Sequence, residues 1–362
     1  MSKKVIEQEK KSFLTGNEVV AWAALAAKAD IMYGYPITPQ NEVMHYWTRL
    51  APKYERRFLQ TEDELSAGFT TLGGVMAGRK SFTATAGPGN TLMQEPMSMA
   101  EMMRLPTVLV VMQRGGPSTA TVIYSQQEVT MTTIGGNGDG MRIVYSTSSH
   151  QELYDYTIKA FNTAWKYRFP TFVLGDGYQA KMRESLVMYE PEDRGIELIA
   201  PEAYVGTPGT PGVDRPPVHM RNTFSMEEEL NELLVKYMAD YSAICDEVAE
   251  SSEAYMDDAE VVVIGHGIVF RAVKAAVETL REQGIKAGYF RPITLRPLAT
   301  KQITNLLDGK KHILAVESSY GQMARLIKEV AYGATNPFHT FFKPGVGVSA
   351  EEVVTKVKDI LK

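Results

Sequence analysis

Cysteine is almost missing from this chain: Cys245 is the only one in 362 residues. A single thiol excludes an intrachain disulfide, and an iron-sulfur cluster, which normally takes four thiolates, cannot be housed by one copy of the chain. Histidine is scarce as well. His45, His150, His219, His266, His312 and His339 show no i,i+4 pairing or carboxylate clustering of the zinc type, so no metal site is expected. Positive charge is not in excess either, since 38 Lys+Arg against 43 Asp+Glu leave a formal net charge of -5. With no basic run and no interleaved aromatic patch to track a phosphate backbone, nucleic acid is not an expected partner. Long apolar runs are lacking too. No stretch approaches the ~18 apolar residues of a membrane span, and MSKKVIEQEKKSF at the N-terminus is charged and has no apolar core of a signal peptide. The expected location is the cytoplasm.

What is present is an ordinary globular composition, 44% hydrophobic and 22% charged, in a chain long enough for two domains. Residues 16–30 (GNEVVAWAALAAKAD) repeat apolar side chains at helical spacing behind Asn17, read as the capping residue. A strand over 31–35, a proline-bracketed turn, a helix over 41–50 and a helix over 64–78 rich in small residues follow. Strand-like runs recur at 81–85, 107–112 and 171–174 with helical stretches between them. The methionines between Met93 and Met112 read as adaptable core filler. Strands alternating with helices predict an α/β fold whose mostly parallel sheet is covered on both faces. The composition then turns to proline, glycine and charge over 190–222, which no helix or central strand sustains. A long amphipathic helix over 225–253, spanning outward, is expected next. VVVIGHG (261–267), a helix over 268–283, KAGYF (286–290) and HILAVES (312–318) predict a second, smaller α/β unit. The expected division is 1–190, a linker with the long helix over 191–255, and 256–362.

Four segments could carry chemistry. Tyr35-Pro36-Ile37-Thr38-Pro39 stands where a strand ends, and its prolines present the Thr38 hydroxyl in a nearly rigid loop at the carboxyl edge of the sheet, where open α/β sheets bind ligands. A helix-initiating turn accounts for the same residues. Gln60-Thr61-Glu62-Asp63-Glu64 brings three carboxylates beside the small-residue helix. They could simply complement the helix dipole, but one facing a buried wall would have a raised pKa and could exchange a proton with a bound heterocycle. Thr83 to Asn90 (TATAGPGN) joins strand to helix through glycines that let a ligand or a backbone approach closely, without the lysine of a Walker A loop. Gln113-Arg114-Gly115-Gly116-Pro117-Ser118-Thr119 puts Arg114 at the same sheet edge, where its planar fork suits a carboxylate. Gly138-Asp139-Gly140, Gly175-Asp176-Gly177 and Gly265-His266-Gly267 read as turns; neither Gly-Asp-Gly is followed by the paired asparagines of a magnesium diphosphate site.

YPITP after a strand, the acidic pair before a small-residue helix, TAGPGN and RGGPST together resemble the α subunit of 2-oxoacid:ferredoxin oxidoreductases. Arg291 to Pro297 (RPITLRP) and Glu317 to Gln322 (ESSYGQ) resemble that family's second domain, so the likeness covers nearly the whole chain. It implies a pyrimidine-type thiamine diphosphate-binding domain with a doubly wound parallel sheet, plus a smaller α/β domain like the transketolase C-terminal one. It implies that thiamine diphosphate is shared with a β subunit that grips the diphosphate and Mg2+, that [4Fe-4S] clusters sit in partner chains, and that coenzyme A is a co-substrate. Separate γ and ferredoxin-like δ subunits, with ferredoxin as acceptor, are further partners it implies. Carried over by motif, Glu64 would hydrogen-bond the aminopyrimidine ring, with Glu62 as the alternative. Pro36, Ile37, Gly87, Pro88 and Gly89 would line the cofactor. Thr38, Arg114, Gly115 and Ser118 would bind a 2-oxoacid, with Thr38 on an oxygen and Arg114 on the carboxylate. RGGPST favours 2-oxoglutarate. The following ATVIYSQQEVTMTT departs from the Gln-Ala-Asp-Leu-like stretch of 2-oxoglutarate members, and branched-chain or aryl 2-oxoacids, or a non-catalytic subunit, stay open.

Overall fold

The computed structural model describes residues 4–206, 209, 213, 215–216, 218–307, 309 and 311–362. Residues 207–208, 210–212, 214 and 217 of the expected linker lie outside them.

Seven strands form the main sheet, in the order Thr294–Arg296, Ile143–Ser146, Thr171–Asp176, Val108–Gln113, Ser81–Thr85, Ile31–Gly34 and Arg57–Gln60. All neighbours pair in parallel except the first, which runs antiparallel to Ile143–Ser146. The apolar run VLVVMQ is the centre of this sheet, buried along its whole length. Its side chains alternate between two cores, with Val108, Val110 and Met112 on one face and Leu109 and Val111 on the other. That period of two is why a strand covered on both faces reads as continuously apolar. Helices Gly16–Ala26, Asn41–Leu50 and His150–Tyr167 fill the first face; Glu64–Met76, Gln94–Met103 and Val129–Ile134 fill the second. The methionines Met93, Met97, Met103 and Met112 are buried in these cores, as their composition predicts.

Two local expectations are corrected. Thr15 rather than Asn17 caps the first helix, its hydroxyl accepting from the Glu18 amide at 3.3 Å. Asn17, buried two residues further on, donates to the Pro39 carbonyl at 2.7 Å and to Glu42 at 2.9 Å, so it ties down the YPITP loop. The long helix, Glu227–Val248, does not span outward. Leu234, Tyr237, Met238, Tyr241, Ile244, Cys245 and Val248 recur at helical spacing and pack on the core of the main sheet, where the Tyr241 hydroxyl donates to the Arg142 carbonyl at 2.7 Å. Cys245 lies in this seam with its thiol donating to the Tyr241 carbonyl, and burial pushes its pKa up, so it is a packing residue. The short strands Arg57–Gln60 and Ile143–Ser146, and an antiparallel ribbon of Lys10–Thr15 with Arg183–Met188, have no counterpart among the strands expected from sequence.

The second sheet runs Phe338–Phe342, His312–Glu317, Val261–Ile264, Ala287–Pro292, Ser251–Ala254, parallel except for the last pair. Three residues beyond it, Thr294–Arg296, cross over to edge the main sheet. The two halves are sewn together by polar bonds. Arg291 grips Glu152 with both terminal nitrogens at 2.6 Å, and Gln126 and Ser318 exchange backbone and side-chain bonds of 2.9 and 3.0 Å. His266 bonds the Ser146 hydroxyl at 2.9 Å through Nδ1, and burial, with Arg291 nearby, pushes its pKa down to about 3.

Asp176 is buried at the same seam and caps the short helix Gly177–Lys181. Burial pushes its pKa up to about 7 against the backbone amides of Gln179 and Tyr178. The folded state therefore holds a proton that the unfolded chain releases above about pH 4, so wild-type stability falls as pH rises from about 4 to about 7. Asp176→Asn, which can still cap through its oxygen, should gain thermal stability over wild type at pH 8 and lose that gain near pH 4. Melting curves at the two pH values decide it: an offset independent of pH would refute the raised pKa.

Candidate cofactor and substrate site

Four adjacent parallel strands, Val108–Gln113, Ser81–Thr85, Ile31–Gly34 and Arg57–Gln60, end at one edge, and each leads directly into one of the four candidate segments. Sheet order thus gathers residues that the sequence separates.

The three carboxylates after Gln60 divide the work. Asp63 caps the helix Glu64–Met76, its Oδ1 accepting from the Ser66 amide at 2.6 Å, and Glu62 is exposed. Glu64, at the first helical position, turns inward and is 5% exposed. Burial pushes its pKa up; its own backbone amide opposes this, Asp63 adds to it, and Arg114 opposes it again. The helix behind it is seated so tightly that a Cβ on Gly68 would stand 2.8 Å from Pro96 Cβ and closer still to its Cγ, and one on Gly74 would stand 2.9 Å from the Tyr33 ring.

The TAGPGN loop lies against both charged residues. A methyl group on Gly89 would stand 2.6 Å from Glu64 Oε1 and closer still to the Thr85 hydroxyl. Gly87, at φ +54°, leaves no room for a side chain because Arg114 Cγ and Cδ lie 3.0 Å from where its Cβ would be. Arg114 is itself 5% exposed and donates from one terminal nitrogen to the Thr38 carbonyl at 2.8 Å. Thr38, half-buried, is thus held by its backbone, which leaves its hydroxyl free for other work. Pro88 starts the short helix Pro88–Leu92, Ile37 is half-buried and Pro36 exposed. Gly115 is buried against the Thr121 methyl, whereas Ser118 stands on the surface at φ +55°. The structure therefore gathers Thr38, Glu64, Gly87, Gly89 and Arg114, and leaves Ser118 and Pro36 at the rim.

Sequence reasoning missed Glu128. It is buried in the stretch after RGGPST that departs from 2-oxoglutarate members, and its Oε1 accepts from the backbone amides of both Gly87 and Arg114 at 2.8 Å while Oε2 accepts from Asn90 at 3.0 Å. Burial pushes its pKa up against those donors. The only local signal was a lone glutamate just ahead of the short helix Val129–Ile134. Gly138-Asp139-Gly140 is a turn, held by Arg296 on the Asp139 and Gly140 carbonyls at 3.0 Å. Among the described residues no three His, Cys, Asp or Glu side chains gather as a metal-ligand set, and no helix is long and apolar enough to cross a membrane.

The cluster is unfinished as protein. The Thr83 and Thr85 hydroxyls and Arg114 Nε are buried without a hydrogen-bond partner, which is costly unless a ligand supplies one. A buried carboxyl ready to share a proton, beside glycines that clear the space in front of it, suits a polar heterocycle such as an aminopyrimidine. Two α/β units joined as these are, with that edge on the first, make an arrangement open to a ligand at the carboxyl end of the main sheet. Residues 22–263 match the family model described as pyruvate flavodoxin/ferredoxin oxidoreductase, thiamine diphosphate-binding, and residues 259–353 match pyruvate:ferredoxin oxidoreductase core domain II. The chain belongs to this family of 2-oxoacid:ferredoxin oxidoreductase subunits.

Among its relatives, ketoisovalerate oxidoreductase subunit VorB of Methanothermobacter marburgensis is 33% identical over 95% of this chain and 96% of its own. The 2-oxoglutarate synthase subunit KorA of Methanothermobacter thermautotrophicus is also 33% identical, over 89% of this chain and 91% of its own. A solved 2-oxoglutarate:ferredoxin oxidoreductase from Magnetococcus marinus, with 2-oxoglutarate, coenzyme A and succinyl-CoA bound, superposes with a TM-score of 0.88 at 25% identity, over 97% of this chain. This chain spans 65% of the length of that one. An inactive split-gene transketolase tetramer, at TM-score 0.59 and 12% identity, shares the fold alone. The resemblance of fold expected from YPITP, TAGPGN and RGGPST is thereby borne out.

Proposed function

We propose that this chain is the α subunit of an enzyme that oxidatively decarboxylates a 2-oxoacid, 2-oxoglutarate being favoured, to an acyl-coenzyme A with reduction of ferredoxin. The observation that carries the reading is the juxtaposition of a buried Glu64, Gly89 and an Arg114 with a free buried Nε at one sheet edge. Thiamine diphosphate, when bound, supplies an acidic carbon as nucleophile and an electron sink for loss of carbon dioxide. Glu64 would share a proton with the aminopyrimidine ring, and burial, which raises its pKa, favours the protonated carboxyl. Gly87 and Gly89 would leave room for the ring, with Ile37 and Pro88 beside it and Pro36 at the rim. Arg114, fixed by Thr38's carbonyl, offers its remaining N–H groups to the substrate carboxylate, with Gly115 and Ser118 beside it. The Thr38 hydroxyl bonds a substrate oxygen. Diphosphate and Mg2+ binding fall to a β subunit and [4Fe-4S] clusters to partner chains, γ and ferredoxin-like δ subunits among them. The oxidation would release two electrons, taken singly by ferredoxin through the partner chains' clusters, and coenzyme A would accept the acyl group. The working division of the chain is 1–190, 191–255 and 256–362, in the cytoplasm.

One observation favours a branched-chain 2-oxoacid as the second reading. Val122 and Ile123, 41% and 61% exposed, follow the arginine loop in sequence and offer apolar side chains rather than a cation. The native complex, purified and offered pyruvate, 2-oxoglutarate, 2-oxoisovalerate and phenylglyoxylate, should reduce ferredoxin in a coenzyme A-dependent way, fastest with 2-oxoglutarate. A maximum with 2-oxoisovalerate selects the second reading. Carboligation or group transfer without any ferredoxin reduction sinks both.

A further inference from the structure

Glu128 is hydrogen-bonded to the backbone of Arg114 and Gly87, which makes it the point at which the two glycine loops meet. A single oxygen, Oε1, accepts the amides of Gly87 and of Arg114, residues from the ends of adjacent strands. Two backbone donors converging on one carboxylate oxygen fix the spacing between the loops more tightly than contacts between neutral groups would.

The second oxygen is held by a chain of amides whose direction is set at its far end. Arg142 is fully buried and has only donors, so the Gln94 carbonyl oxygen faces it, at 2.8 Å. The Gln94 amide nitrogen is then left for Asn90 Oδ1, at 2.9 Å, and the Asn90 amide nitrogen for Glu128 Oε2, at 3.0 Å, and Thr132 Oγ1, at 3.2 Å. The chain runs from a buried cation to a buried carboxyl group, and the donors at its arginine end set its orientation.

The second unit grips the same point from outside. Gln322 donates to the Gln127 carbonyl at 2.8 Å and accepts from the Thr130 amide at 2.8 Å, so it brackets Glu128 on both sides along the chain. Gln126 is tied to Ser318 and, through Nε2, to the His266 carbonyl at 2.9 Å. The ESSYGQ motif thus acts on the stretch that carries Glu128.

We infer that Glu128 is the positioning residue that holds the 87–90 loop and Arg114 in one register, and that Gln322 of the second unit braces it. The inference rests on the reading of Arg114 as the substrate-carboxylate residue. Glu128→Gln keeps size and removes one acceptor. Either orientation of the new amide sets its nitrogen against existing donors, the Asn90 amide on one side or the two backbone amides on the other.

In the assembled wild-type and Glu128→Gln complexes, the KM for the 2-oxoacid should rise about tenfold or more, with kcat changed far less and the KM for coenzyme A unmoved. A 2-oxoacid KM within twofold of wild type overturns the inference. So does a fall in specific activity with both KM values intact, which reports lost folded enzyme only. Where the variant fails to assemble, Gln322→Ala, which removes the brace from outside the site, should raise the same KM severalfold; an unchanged value is equally fatal. Amide hydrogen exchange at Gly87 and Arg114 should quicken in Glu128→Gln whatever the enzyme's reaction, so a wild-type complex inactive on every 2-oxoacid fails the functional reading alone, and unchanged exchange fails the positioning role alone.

Discussion

Glu64→Gln in the assembled complex should lower ferredoxin reduction by about 10²–10⁴-fold while subunit assembly is intact, because an amide cannot exchange the proton that a buried carboxyl shares with a ring nitrogen. The same change should stabilise the isolated chain. Burial raises the folded-state pKa of Glu64 above that of the unfolded chain, so the folded state binds the proton more tightly and wild type loses stability as pH rises through that window. Glutamine carries no charge at any pH. Its gain in melting temperature should therefore be present at pH 8 and absent below about pH 4, where both states of the wild type are protonated. A loss of activity paired with a pH-dependent gain in stability is the signature of a carboxylate kept in an unfavourable place for its chemistry. Wild-type turnover by Glu64→Gln would remove the assigned role, and Glu62, exposed and outside the cluster, offers no replacement.

Arg114→Ala should raise the KM for the 2-oxoacid by about 10²-fold, since charge-assisted hydrogen bonds contribute about 1.5–3 kcal/mol each. Arg114→Lys should recover little. Arginine can meet the Thr38 carbonyl and a bound carboxylate with separate nitrogens of one rigid plane, whereas an ammonium is a point donor on a flexible stem. Saturation curves for both variants in the complex provide the check. An affinity for every 2-oxoacid that does not change would mean a subunit that has kept the fold and lost the pocket's function.

Much of the site was legible before any coordinates. Thr38, Gly87, Gly89 and Arg114 stand in short segments directly after strands that the sequence marks, and the carboxyl edge of a parallel sheet is where such segments collect, whereas Glu64 follows the short strand Arg57–Gln60, which no apolar run marks. Other features hid for identifiable reasons. Thr15 and Asn17 are both good helix caps, and the choice was made by the Pro39 carbonyl and Glu42, 22 and 25 residues away, which claim Asn17. The helix Glu227–Val248 has three glutamates in its first turn and reads as solvated; only the core beside Phe169 shows that Tyr241 is covered. The strand Thr294–Arg296 is three residues long and joins a sheet whose other members end more than a hundred residues earlier, so no local pattern could assign it.

The single cysteine already required any iron-sulfur chemistry to reside elsewhere, and the alternation of strands and helices set the α/β class. Both follow from composition and from periodicity, which are local properties of a chain. Which of three neighbouring carboxylates turns inward, which oxygen of Thr38 meets Arg114, and that Glu128 joins two loops all depend on atoms brought together from 14 to 76 residues apart. Those choices belong to the tertiary structure, because a buried polar atom must find its partner in space and the sequence does not record where that partner will be.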